Sequence, residues 1–265
     1  MAAKISIKNA LLPNRPIDKM MALGITVFWV VVLLAIWFAS PWATIPTPTE
    51  VWSALGELWQ NQGLAQDMFA TLKLLFHSLL LTVVISLVLS YATVLPLFRP
   101  VVAAVSKLRF LGLTGLVVVF MVMTGGGYKL KVWLLTFGMT TYFVTSMAQV
   151  VIEIPRENFD HLRALGAGEL RTLWEVVILG TLDKAFEVLR QNFAMGWTMI
   201  TMVEGISRAE GGLGAMILNE NKHFKLDAVF AILVVILILG LLIDYLVGAI
   251  TRVVCPYANI ERMRR

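Results

Sequence analysis

Residue types able to do chemistry are few in this 265-residue chain, and their spacing argues against catalysis. The single cysteine, Cys255, leaves no internal disulfide and no cysteine-based zinc site. His77, His161 and His223 lie far apart and show no metal-ligand spacing. No G-x-x-x-x-G-K-[ST] sequence occurs, so the chain carries no Walker-type ATP loop. Gly211-Gly212-Leu213-Gly214 follows an apolar helical stretch rather than a strand, which excludes a dinucleotide loop. What remains is electrostatic. Lys73 and His77 sit one helical turn apart, and they and Glu204 interrupt otherwise apolar runs. A charge at the centre of a membrane span costs about 2.5–3.5 kcal/mol on insertion scales and often marks a path. Lys73, His77 and Glu204 are therefore candidate path residues. Equally, Lys73 can snorkel to the interface and Glu204 can serve as a structural hydrogen-bond partner. Asp183, Lys184, Glu187 and Arg190 form a second cluster, in which Glu187 and Arg190 are three apart and close enough to pair on a helix. Gly125-Gly126-Gly127 reads as a flexible turn or a nest of backbone N–H groups for an anion.

These residues need elements to hold them, and the composition says which. Hydrophobic residues make up 58% of the chain and charged ones 15%, with a mean hydropathy of +0.81. A soluble domain is near 45–50% apolar and about 25% charged. Disorder, a soluble nucleic-acid-binding domain and a small secreted scaffold are excluded, and a multi-span membrane protein is indicated. Crossing about 30 Å of hydrocarbon takes about 20 apolar residues. Six runs answer to that, at about Met21–Ala39, Phe69–Leu95, Phe110–Met123, Val132–Val151, Phe186–Ile206 and Ala228–Val253. The third is short. The first lacks an A-x-A cleavage site and reads as a retained span. After Pro48, residues 49–59 read as a short amphipathic helix capped by Thr49.

Six spans put both termini on one side. With the N-terminus inside, 15 of the 22 Lys and Arg fall in inside segments and five in outside segments. The bias predicts an N-in, C-in topology, and the net charge of +5 reflects basic inside segments rather than a nucleic-acid partner. The expected layout is an inside N-terminus at 1–20, a six-helix domain at 21–255 and a basic inside tail at 256–265. Trp29, Trp42, Trp52 and Trp133 fit interface belts.

One inside segment is polar and amphipathic. It runs Asp160-His161-Leu162-Arg163-Ala164-Leu165-Gly166-Ala167 and continues to Trp174-Glu175-Val176-Val177-Ile178-Leu179. It resembles the EAA loop of ABC importer permeases, with Gly166 at the turn between two helical pieces. Ile45-Pro46-Thr47-Pro48-Thr49-Glu50-Val51 resembles the PSP-x-x-V stretch of the nitrate/sulfonate/taurine/bicarbonate branch, and Gly211-Gly212-Leu213-Gly214 with Ile217 its GLG-x-x-I loop. Glu204 and Asp244 stand where that branch often carries acidic residues. Asp160 replaces the usual Glu, His161-Leu162 the usual Ala-Ala, and Leu179 the closing Pro. The branch's proline-rich stretch at the third span is absent from Phe110–Leu116.

The resemblance covers about residues 20–255. It implies an all-α fold of the type I ABC importer kind, with a cytoplasmic coupling helix at about 160–170 inside a loop at 155–180. It implies a non-enzymatic transport subunit of the bacterial inner membrane, holding no cofactor, with ATP and Mg on separate ATPase subunits. Asp160, His161, Arg163, Ala164, Leu165, Gly166 and Ala167 would meet the ATPase. The other implied partners are a second permease copy or a sister permease, a periplasmic or lipid-anchored solute-binding protein, and membrane lipid. The implied substrate is a small anion such as nitrate, a sulfonate like taurine, or bicarbonate. An ATP-independent secondary transporter and a degenerate partner permease are the alternatives. The first needs midplane carboxylates and usually shows repeat halves, and the sequence has few of the former and no internal repeat.

Overall fold

The computed structural model describes residues 19–39, 45–207 and 210–255. The expected N-terminal segment before Lys19 and the basic tail at 256–265 lie outside the described residues. The described chain is helical throughout: α1 (Lys19–Phe38), α2 (Pro48–Asn61), α3 (Leu64–Ala92), α4 (Arg99–Lys107), α5 (Leu113–Thr124), α6 (Gly127–Ile152), α7 (Arg156–Ala164), α8 (Glu169–Thr172), α9 (Leu182–Ile206), α10 (Leu213–Lys222) and α11 (Leu226–Val254). A π-helical stretch, Leu173–Leu179, joins α8 to the turn before α9.

Among the described residues four helices, α1, α3, α6 and α11, are long and apolar enough to cross a membrane. A fifth span is obtained if the bent pair 96–110 and α5 is counted as one. The expected third span is therefore different in kind. It does not extend backwards as one rod. Leu111 and Gly112 adopt extended backbone, and the helical segments on either side meet at 113°. Alone, α5 covers only about 18 Å at 1.5 Å per residue. The expected fifth span is α9, whose 25 residues suffice in length. Glu187, Arg190, Gln191, Asn192 and Glu204 make it too polar to count with the four.

The amphipathic helix starts where expected, although its cap is Thr47 rather than Thr49. The Thr47 hydroxyl accepts from the Glu50 N–H, and the Glu50 carboxylate accepts from the Thr47 N–H at 2.8 Å. This is a capping box, with Pro48 in the first turn where its missing N–H costs nothing.

At the centre stands α6. It runs parallel to α3: the Tyr128 hydroxyl meets the Lys73 carbonyl, Ser78 bonds the Val132 carbonyl, and Leu89 packs on Val144 and Ala148. Ser78, Thr82, Ser86 and Ser90 recur every four residues on α3 and are all fully buried. Small side chains at that spacing let two helix backbones approach closely in a membrane, where burial of apolar surface gives no net drive. Packed in the reverse direction, α9 donates from Asn192 to the Met139 carbonyl at 3.0 Å, and Gly196 leaves room for Met139. α11 in turn runs antiparallel to α9, with the Trp197 indole donating to the Ile236 carbonyl and Gly240 beneath the ring. The starts of α3, α6 and α11 and the end of α9 thus share one end of the bundle, here the first end. At the second end lie α4, α7 and α8. α1 is exposed along its length and meets the rest through Trp37, which approaches Phe230 and donates to the Pro46 carbonyl.

Candidate functional site

The expected coupling residues form an elbow at the second end. α7 carries Asp160, His161, Arg163 and Ala164, and Leu165 closes it. Gly166 then takes φ +80°. Its N–H donates to the Arg163 carbonyl (2.9 Å), and the Ala167 N–H donates to the Leu162 carbonyl (3.1 Å). This pair of bonds satisfies the last carbonyls of α7 and requires a left-handed residue, which is why glycine stands there. Across the turn, the Arg163 guanidinium grips both Glu169 oxygens at 3.0 Å and reaches Asp160 at 3.5 Å. Held this way, Glu169 titrates below the ordinary carboxylate range and Arg163 above its own usual value. No residue of α7 is buried, and Leu165 and Leu170 (86% exposed) present apolar surface to the outside. The elbow is internally braced and externally unpartnered.

At the first end, Glu204 is only 1% exposed and belongs to a clamp. The N-terminus of α10 presents amides that no carbonyl of its own helix can satisfy. Three side chains take them: Gly212 N–H donates to Asp67 at 2.8 Å, Leu213 N–H to the Thr71 hydroxyl at 2.9 Å, and Gly214 N–H to Glu204 at 2.8 Å. The Thr71 hydroxyl donates onward to the other Glu204 oxygen at 2.7 Å. Lys131, buried on α6, donates to the Gly211 carbonyl at 3.1 Å. Carboxylates at a helix N-terminus are favoured by its dipole as well. Loop 211–214 is thereby fastened to α3, α6 and α9 together. A β-carbon at Gly214 would strike the Thr201 backbone. Gly214→Ala is expected to destabilise the fold by about 1–3 kcal/mol, measured as a lowered melting point in detergent micelles.

Of the other expected path residues, Lys73 and His77 come together and Glu204 stands apart. Both lie on the outward face of α3 beside Tyr128 of α6, whose hydroxyl is 3.4 Å from His77 Nδ1 and whose ring centre is 5.6 Å from Lys73 Nζ. Thr71, which bonds Glu204, faces inward from the same helix. Near the Gly125–Gly127 turn stands the Glu210 carboxylate, against Gly127, which opposes an anion nest. Among the described residues no group of three or more His, Cys, Asp or Glu is placed to hold a metal ion.

Two arrangements went unread in the sequence. Arg190 bonds not Glu187 but Asp244 of α11, through two donors at 2.6 and 2.5 Å. The outward face of α9 carries Lys184, Glu187, Gln191, Ala194 and Thr198, all exposed. Their spacing of three or four residues is a helical stripe and was available as a signal. The outward faces of α11 and α5, with Leu233, Leu237, Leu241, Val118 and Val122, are apolar by contrast.

About three quarters of the chain matches solved structures of the inward-facing MetNI methionine ABC transporter. One aligns with a TM-score of 0.60 and 24% identity, covering 75% of this chain and 98% of that one. This is the fold of an ABC transporter permease. A second crystal form of the same transporter gives a TM-score of 0.58 at 23% identity. Curated relatives carry the same description. The taurine transport system permease protein TauC of Escherichia coli (strain K12) is 24% identical over 249 residues, 89% of this chain and 87% of the relative. A probable ABC transporter permease of Brucella melitensis biotype 1 is 24% identical over 213 residues, 78% of this chain and 85% of the relative. No protein-family model matches the chain.

Proposed function

We propose that the chain is the membrane-spanning subunit of an ATP-driven importer, pairing with a second copy or a sister permease around a shared path. The observation that carries this reading is the polar stripe on α9. In a helix at membrane depth, Glu187, Gln191 and Thr198 cannot face hydrocarbon without large cost, so that face must meet protein or water. The apolar outward faces of α5 and α11 suit lipid. Two stripes facing each other would enclose a polar conduit.

The elbow at α7–α8 supplies the ATPase contact, its exposed Leu165 and Leu170 seating in a groove of the motor subunit. ATP and Mg stay on that subunit. The basic charge bias supports an elbow and both termini on the cytoplasmic side of a bacterial inner membrane. Substrate arrives at the first end from a periplasmic or lipid-anchored binding protein. Similarity to a taurine permease favours a small sulfonate-like anion, and Lys73, beside His77, gives the first end a positive charge. Glu204, enclosed in its clamp, holds the outer loop and does not line the path.

Cysteine accessibility tests the stripe. In a Cys255→Ser background, Ala194→Cys and Thr198→Cys are expected to react with a membrane-impermeant thiosulfonate and to lose uptake on labelling. Leu237→Cys on α11 is expected to stay unreactive. Reaction at 237 with inert 194 and 198 would remove α9 from the path.

A further inference from the structure

A groove of about 370 Å³ opens between α2, the start of α3 and the first half of α11. Trp52, Gly56, Trp59 and Gln60 line it from α2, Met68 from α3 and Ile238 from α11. The α2 residues fall at spacings of three and four, so they form one helix face. The neighbouring face of α2, with Val51, Ala54 and Leu58, is already buried. The groove face therefore remains open after α2 has docked. Trp52 and Trp59 are 76% and 57% exposed there. Ile238 lies about 18 Å along α11 from its start, counting 1.5 Å per residue, well within a span. At the end of a span headgroups and the upper parts of acyl chains are the solvent.

We propose that this groove binds a zwitterionic phospholipid with an amine headgroup, one acyl chain lying along Met68 and Ile238 and the headgroup resting on Trp52, Trp59 and Gln60. The charge pattern selects the headgroup. Residues 20–72 contain no Lys or Arg but include Glu50, Glu57 and Asp67. An anionic headgroup on α2 would have the exposed Glu57 carboxylate beside it and no counter-charge from that helix. An ammonium group finds indole faces and the Glu57 carboxylate next to Gly56, and a cation over an indole is attracted by the ring quadrupole. The indole N–H groups and the Gln60 amide can donate to the phosphate of the same lipid. Lipid held here would wedge α2 between α3 and α11, so the site would steady the outer part of the bundle.

The proposal rests on α3 and α11 lying in the bilayer. That premise is checked separately by extraction: a chain released from membranes by carbonate would fail it whatever the lipid result. The test proper is native mass spectrometry of the purified full chain after reconstitution with equal phosphatidylethanolamine and phosphatidylglycerol. The wild type is expected to retain phosphatidylethanolamine over phosphatidylglycerol by about fivefold, the scale of one cation–π contact. A β-carbon at Gly56 meets nothing within 4 Å, so Gly56→Phe fills the groove without a backbone clash and is expected to lose the retained lipid. Gly24→Phe on α1, where the space is equally open, is expected to keep it. Glu57→Lys is expected to shift retention toward phosphatidylglycerol. Equal retention in the wild type and Gly56→Phe, or an excess of phosphatidylglycerol in the wild type, overturns the proposal. So does loss of permease pairing in Gly56→Phe with no lipid on the wild type, which would make the groove a protein interface.

Discussion

Gly166→Trp is expected to leave membrane insertion and melting behaviour intact while cutting substrate-stimulated ATP hydrolysis at least about tenfold in reconstituted vesicles. Two effects add. A side chain at φ +80° costs about 1–2 kcal/mol of left-handed strain, enough to repopulate the turn in another conformation. The indole would also project from a position that has nothing within 4 Å, directly where a motor subunit is proposed to seat. Because no packing is disturbed, the loss falls on coupling rather than on folding. Gly166→Ala separates the two, keeping most of the strain and little of the bulk, and is expected to be intermediate. The Arg163–Glu169 brace adds a pH condition. Glu169 is depressed in the folded state, so its contribution is complete above the ordinary carboxylate range and is lost as the pH falls through its lowered value. At neutral pH the elbow is fully braced. Normal stimulation in Gly166→Trp would sink the assignment of α7–α8 as the coupling segment.

Glu204→Ala carries the largest expected cost in stability, about 3–5 kcal/mol, because it strips a buried network of its central acceptor. The Thr71 hydroxyl and the Gly214 N–H would each lose a partner, and Lys131 would be left with less negative charge around it. Glu204→Gln keeps one acceptor and is expected to lose about half as much. Thermal unfolding in detergent, followed by helical circular dichroism, reads both. If Glu204→Gln instead melts like the wild type while uptake disappears, the residue acts on substrate and the clamp reading fails.

The comparison of Glu204 with Lys73 and His77 shows what the sequence could reveal. Lys73 and His77 were readable as a pair because one helical turn separates them. The clamp was not, since Asp67, Thr71, Lys131 and Glu204 come from three helices and meet only through tertiary packing. Arg190 illustrates the same limit: Glu187 was the near neighbour in the chain, yet Asp244, 54 residues away, is the partner. Apolar runs located α1, α3, α6 and α11 to within a few residues. The third run misled because hydropathy does not register the two extended residues, Leu111 and Gly112, that fold the helix through 113°. The elbow was the most legible feature, since its glycine and its flanking charges are local. That α9 turns a polar face outward depended on knowing which face was covered.

The central place of α6 has a mechanical consequence. It leads into the elbow at its C-terminal end, only Glu153–Pro155 intervening, and it carries Lys131 of the clamp near its N-terminal end. Driven at the elbow as proposed, it would act as a lever with its drive point there and its load at the clamp. Its 26 residues measure about 39 Å, so a rotation of about 10° about the midpoint moves each end about 3 Å in opposite senses. A small pull at the elbow would then displace loop 211–214 by about the width of a water molecule, with α6 turning against the face of α3 to which Ser78 and Thr136 bond it.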